Sequence, residues 1–206
     1  MRIKSYEDMN LQDLDVMKEI GSIGTSHAAT ALSRLIQKDV RISIPQVTVQ
    51  GYDEAVQSIG NVEELVGAAL MQMTGDVNGM MLFLFKLDFA STVLKELLGK
   101  EYTSFEEMGE LEISALTEVG NIVMCSYINS FAKLTGMNIE LSVPGFTVNM
   151  LGGILTVPIA EFGYETDKLM YFNADFLMNG KSLPDWLLML PDIRSLNHIM
   201  TKLGVS

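Results

Sequence analysis

The chain has 206 residues, enough for one sizeable domain or two closely packed halves, and 48% of them are apolar, enough for a large core. Its formal net charge of −12 argues against nucleic acid, whose phosphates would repel it, and suits a partner with a basic face. No apolar run reaches the roughly 18–20 residues of a membrane span, no secretory h-region follows Met1-Arg2-Ile3-Lys4, and the single Cys125 fits a reducing cytoplasm rather than a disulfide framework.

In chain order, residues from about 8 to 38 read as one long amphipathic helix. The alternating run Val40-Arg41-Ile42-Ser43-Ile44 reads as a strand, and Pro45, which lacks an N–H, puts that strand at a sheet edge or bends it. Two strands, Ala69 to Met73 and Met80 to Phe85, flank Gly75-Asp76-Val77-Asn78-Gly79, a hairpin signal. A short amphipathic helix, Phe89 to Leu98, closes this half. A second long helix runs from about 105 to 136, with Gly136 near the C-cap position. The strand Ile139-Glu140-Leu141-Ser142-Val143 and Pro144 follow it. The later half then offers strands at Ile154 to Ala160, Leu169 to Ala174 and Trp186 to Leu190, a surface loop at Asn179 to Pro184, and a last helix from Ile193 to Leu203. The expected fold is α+β, a pseudo-two-fold duplicated unit with two long helices packed on one face of an antiparallel sheet. It forms a single domain, 1–206, made of two repeats, about 8–100 and 105–204, with no linker between them. The fifteen methionines read as adaptable core filling.

The duplication is visible in the residues. Glu19-Ile20-Gly21-Ser22-Ile23 recurs 99 residues later as Glu118-Val119-Gly120-Asn121-Ile122. A proline follows Ser22 and Asn121 at the same spacing of 23, Pro45 and Pro144, and the register holds from about Leu14/Ile113 to Gln50/Asn149. So long a period implies a fused pseudo-dimer and not a solenoid.

On a helical wheel at about 100° per residue, Leu116, Val119, Val123, Tyr127, Phe131 and Leu134 share an apolar arc. Ser114, Glu118, Asn121, Cys125 and Asn129 gather opposite them. In the first helix Asp15, Glu19, Ser22, Ser26, Thr30 and Ser33 form the matching strip. Any amphipathic helix has a polar face. Here, however, the same Glu, Gly and Pro recur at matched spacing, and the strip residues are mostly small, which lets another protein approach closely. Gly21 and Gly120, mid-helix, read as points of close packing.

The strip is poorly equipped for free-standing hydrolysis. There is no P-loop, His27 and His198 lack a cluster that would suggest zinc, and Cys125 has no basic neighbour and reads as a buried or semi-exposed thiol. No metal site of the chain's own is expected. An asparagine can orient a water by donating and accepting at once, and a glutamate can pair with a partner's lysine. Both could act by insertion into a site that already holds a phosphoryl group and Mg²⁺, as glutamine does in small GTPases.

The pattern Asp/Ser-x3-Glu-x2-Asn-x22-Pro is similar to the signature of the CheC/CheX/FliY phosphatases of bacterial and archaeal chemotaxis. Ser114, Glu118, Asn121 and Pro144 match every fixed position. Asp15, Glu19 and Pro45 match in the first copy, with Ser22 where Asn is expected. The resemblance covers almost the whole chain, includes the ending Met189-Leu190-Pro191-Asp192, and with two copies looks like CheC rather than the one-motif CheX. It implies hydrolysis of the aspartyl phosphate of a CheY-type response regulator in the cytoplasm. Asn121 would hold the attacking water, Glu118 would bind the regulator's lysine, and Mg²⁺ would belong to the regulator. It also implies CheD as a possible partner. The first site, Asp15, Glu19 and Ser22, would be degenerate: a binding face without catalysis, or a relic. The rival expectation is a non-enzymatic adaptor for a regulator, CheD or a flagellar-switch component.

Overall fold

In a computed structural model that describes residues 2–163 and 167–205, the first long helix, α1, runs Leu11–Ile36. It starts later than the sequence pattern suggests because Asn10 and Asp13 form a reciprocal cap. Asn10 Oδ1 accepts the Asp13 N–H at 3.1 Å, and the Asp13 carboxylate accepts the Asn10 N–H at 2.8 Å. The buried Asp13 carboxylate is matched by the Arg2 guanidinium at 2.6 and 2.9 Å. Two short strands follow, β1 (Val40–Ile42) and β2 (Gln46–Gly51), which are one edge strand interrupted at Pro45. Then come α2 (Tyr52–Ile59), the hairpin β3 (Leu65–Gly75) and β4 (Gly79–Phe85), and α3 (Leu87–Leu98). The second half repeats the sequence of elements. It comprises α4 (Glu110–Thr135), β5 (Ile139–Leu141), β6 (Gly145–Met150), α5 (Leu151–Phe162), the hairpin β7 (Lys168–Met178) and β8 (Lys181–Pro191), and α6 (Ile193–Lys202). Gly136 ends α4 at φ 69°, the left-handed conformation expected of a glycine after a helix.

The strands form one antiparallel sheet of eight in the order β1-β7-β8-β4-β3-β5, with β2 also on β7 and β6 also on β3. The order reads the same from either end if the halves are exchanged. Each half's edge strands pair with the other half's hairpin, Val47 opposite Phe172 and Phe146 opposite Ala69. The broken strands at both margins explain the two prolines, since an edge position spares a missing N–H.

The long helices cross to the opposite half as well. A Cβ on Gly120 of α4 would sit 2.6 Å from Cβ of Ala69 in β3, and one on Gly21 of α1 would sit 2.8 Å from the Phe172 ring in β7. Both glycines therefore mark direct helix-on-sheet contact, as the sequence suggested. A Cβ on Gly24 would meet the Tyr127 ring at 2.9 Å, so α1 and α4 also touch each other. Twelve methionines are buried in the resulting core.

The structure corrects the sequence reading in several places. Ile154 to Ala160 is not a strand but lies inside α5. Gly152, Gly153 and Pro158 lower its helix propensity, and its nearly all-apolar surface hides the helical period. α2 was not anticipated, although Asp53 and Glu54 in its first turn are a helix-start signal. These two helices pack together, the Tyr52 hydroxyl donating to the Gly152 carbonyl at 3.0 Å. They lie on the second sheet face, where Ile154 and Val157 line a groove with Ala68, Leu70 and Leu82. Helices thus cover both faces, which is why every residue of β4 is buried. The supposed loop at 179–184 reduces to a two-residue turn. Asn179 and Gly180 have φ 52° and 76°, as a tight hairpin requires, and Lys181 to Pro184 belong to β8. Pro184 is accommodated because the β4 ladder beside it ends at Leu84 opposite Trp186. Leu134, placed in the apolar arc, is 48% exposed in the last turn of α4.

One buried group is unusual. Asp185 of β8 is 2% exposed, accepts the Trp186 N–H at 2.8 Å on one oxygen, and has no partner for Oδ2 among the described residues. Burial pushes its carboxyl well above the ordinary range, against the smaller pull of the Trp186 N–H and the Lys86 charge. A carboxyl raised in the folded state favours folding below the unfolded value of about 3.9, and that contribution is lost as pH rises toward the folded value. Asp185→Asn keeps the acceptor for Trp186 and removes the titration. The melting-temperature difference between the variant and the wild type should therefore widen in the variant's favour from about pH 4 to about pH 7. A constant difference over that range would show that the native protein holds this carboxylate charged.

Candidate functional site

The contact at Gly120 fixes the rotation of α4. Leu116, Val119, Gly120, Val123, Tyr127 and Phe131 are buried, so the residues on the opposite side of the helix turn outward. Ser114 and Glu118 are exposed, and Asn121 and Cys125 are half-buried. Asn121 thus lies on the side opposite the apolar arc, as the wheel placed it, but half-buried, with its amide along the helix between two neighbours. Its Nδ2 donates to Glu118 Oε2 at 3.3 Å, and its Oδ1 accepts from the Cys125 thiol at 3.3 Å. Burial, and then the Glu118 charge, push the Cys125 thiol above its ordinary value, so it stays protonated at neutral pH. The sequence placed Cys125 on the strip but gave no sign of its contact with Asn121. The i, i+4 spacing brings the two side chains within reach without deciding whether they bond.

The matching strip on α1 is arranged differently. Asp15 and Glu19 are exposed, as their counterparts Ser114 and Glu118 are. Ser22 is half-buried, and its hydroxyl donates to the Lys18 carbonyl of its own helix at 2.9 Å. Ser26 and Thr25 both donate to the Ser22 carbonyl, at 3.0 and 2.8 Å. The polar groups at this turn are therefore satisfied by the helix backbone. His27 Nδ1 lies 3.0 Å from Ser130 Oγ, whose own proton goes to the Ser126 carbonyl at 2.7 Å, so His27 donates and links α1 to α4.

The two prolines differ as well. Pro45 is buried and would lie 3.1 Å from a Cβ on Gly21, so the bend after β1 sits against α1 one residue before Ser22. Pro144 is half-buried. The apolar residue before each proline is exposed, Ile44 by 69% and Val143 by 89%. A cavity of about 530 Å³ between α3 and the Asn179-Gly180 turn is lined by residues of neither strip. Among the described residues no helix is long and apolar enough to cross a membrane.

Fold and site together define a duplicated α+β protein that holds one polar strip outward on each of two long helices. A model of the CheC-like family matches residues 13–49 and 111–148, which are the two strips with the edge strands that follow them. The chain is 28% identical over 205 residues to the CheY-P phosphatase CheC of Bacillus subtilis (strain 168), covering 98% of each protein. Its fold matches the crystal structure of Thermotoga maritima FliY with a TM-score of 0.74, at 20% identity, over 94% of this chain and 98% of that one. It also matches a chain in the crystal structure of a CheX–CheY–BeF3–Mg²⁺ complex from Borrelia burgdorferi, with a TM-score of 0.51, at 17% identity, over 81% and 95%.

Proposed function

We propose that this chain is a phosphatase that hydrolyses the aspartyl phosphate of a CheY-type response regulator, with α4 as the working helix. The observation that carries this reading is the Glu118–Asn121 pair on an outward helix face, coupled at 3.3 Å, in a chain that resembles a CheY-P phosphatase along its whole length. A polar strip on an outward helix face suits insertion into a partner's site.

In this reading Glu118 meets the regulator's lysine and anchors the helix. Asn121 then holds a water in line with the acyl phosphate, accepting from it at Oδ1 or donating at Nδ2. An amide cannot take the water's proton. It orients the nucleophile while the P–O bond to the aspartyl carboxyl breaks, and the proton leaves with inorganic phosphate. Mg²⁺ belongs to the regulator and neutralises the phosphoryl charge, so this chain contributes position and no metal chemistry. CheD, a possible modulator, enters from the family resemblance alone.

A second reading, docking without turnover, is favoured for α1 alone. Its Ser22 hydroxyl is already committed to the Lys18 carbonyl, whereas Glu19 remains exposed at the position of Glu118.

Asn121→Ala should slow dephosphorylation of the phosphorylated regulator by about 100-fold, the scale of a lost positioning group, while its melting temperature stays near wild type. Activity within twofold of wild type would remove Asn121 from the reaction.

Glu118→Ala should weaken binding to a regulator loaded with beryllofluoride and Mg²⁺ by about tenfold, as expected for one charge-assisted contact. Titration by fluorescence or calorimetry measures this directly, and unchanged affinity would take Glu118 out of the interface.

Ser22→Asn, made on the Asn121→Ala background, tests the first face. The longer amide cannot repeat the short bond from the Ser22 hydroxyl to the Lys18 carbonyl and should project outward beside Glu19. Recovery to a few per cent of wild-type turnover is the expected result. A folded double variant with no recovery would mean that α1 has lost more than its asparagine.

A further inference from the structure

The reading of Asn121 as the residue that positions water leaves open what positions Asn121. Resting on that reading, the geometry points to Cys125 as a positioning residue that fixes the orientation of the Asn121 amide.

The argument starts from the shape of an amide. Its two ends are alike in size and opposite in chemistry, so a half-exposed asparagine can turn over unless its neighbours choose. The Glu118 carboxylate can only accept, so it selects the Nδ2 end, 3.3 Å away. Oδ1 is then directed toward the next turn of α4, where the Cys125 thiol donates to it at 3.3 Å. A neutral thiol supports this arrangement and a thiolate would oppose it. Burial and the nearby Glu118 both favour the neutral form. A carbonyl oxygen has two lone pairs; the thiol takes one and leaves the other for a water.

Docking makes the thiol more important. When Glu118 turns to a lysine of the partner, its 3.3 Å contact with Nδ2 competes with the new ion pair. The bond from Cys125 involves no group that the partner claims, so it persists through docking and keeps the amide oriented. The first helix supplies an internal comparison. Ser26 occupies the position of Cys125, and its hydroxyl donates to the main-chain carbonyl of Ser22 at 3.0 Å, not to the Ser22 side chain. The Ser22 hydroxyl in turn goes to the Lys18 carbonyl at 2.9 Å. On α1, then, two polar side chains one turn apart are uncoupled. On α4 three side chains spaced i, i+3 and i+7 are coupled end to end.

The test uses the full chain with Cys125→Ala and Cys125→Val, each alone and combined with Asn121→Ala. Alanine removes the donor and leaves space; valine removes the donor and keeps the volume. Two quantities are measured: the single-turnover rate of phosphate release from the phosphorylated regulator at saturating chain, and the affinity for the regulator loaded with beryllofluoride and Mg²⁺. Both single variants should slow phosphate release by about threefold or more, the scale of one weak hydrogen bond, with affinity unchanged. On the Asn121→Ala background neither should slow the residual rate further. A wild-type rate in Cys125→Val would assign Cys125 to packing and overturn the inference. So would an equal further loss on the Asn121→Ala background, or a loss that appears only in affinity. These results differ from failure of the underlying reading, which would show as a wild-type rate in Asn121→Ala itself.

Discussion

Everything outward on α4 depends on one inward contact, the absence of a side chain at Gly120. With Ala69 Cβ only 2.6 Å from where a Cβ would be, α4 lies directly on β3 and cannot rotate without a clash. Gly21 does the same for α1 against Phe172 and Pro45. Close-packed interiors transmit such constraints because they have no slack. A glycine in a helix interior costs about 1 kcal/mol relative to alanine. The contact offsets that cost and sets the angle at which Glu118 and Asn121 leave the surface.

The exchange of edge strands extends this rigidity across the molecule. α4 belongs to the second repeat but rests on β3 and β4 of the first, while α1 packs mainly on β1 and β2 of its own repeat and reaches β7 of the second at Gly21. The first repeat therefore supplies the floor under α4, and β1 and β2, on which α1 packs, are themselves paired to the second repeat's β7. A half separated from its partner would expose both the sheet under the missing helix and the unpaired margin of its hairpin. The duplication thus supports the strip on α4 even though the strip on α1 carries Ser22 at the position of Asn121. α1 and its exchanged strands help to hold α4 in its place, which gives α1 a structural role independent of its polar strip.

Much of this was legible in the sequence because the deciding residues are few and local. The period of 99, the mid-helix glycines and the two prolines gave the long helices, the edge strands and the outward strips. The strong glycine-flanked turn at 75–79 gave the β3–β4 hairpin. The failures share a physical cause. α5 carries apolar residues even at exposed positions such as Val157, so its period gave no helical signal, and Pro158 argued against a helix. Asn179-Gly180 is a complete turn, but the following Pro184 disguised a strand whose neighbour stops short of it. The coupling of Asn121 to Cys125 was out of reach for another reason. Both residues were placed on the strip, yet whether polar side chains bond to each other or to the backbone depends on rotamers that spacing leaves open. Ser22 and Ser26, at the same spacing, make the other choice.

That choice bears on how a helix face can act as half of a catalytic centre. A residue that completes another protein's site has no cleft to hold it, so its orientation must come from its own helix before docking. Serine hydroxyls on a helix readily satisfy themselves on the carbonyl four residues back, as Ser22, Ser26, Ser126 and Ser130 all do here. Such a side chain is ordered but turned away from any partner. An asparagine is too long to close that bond easily and keeps its polar end above the surface, where side chains on adjacent turns can hold it. The difference between the strips therefore goes beyond the loss of an amide. On α1 the helix backbone captures the polar group, and on α4 the neighbouring side chains present it.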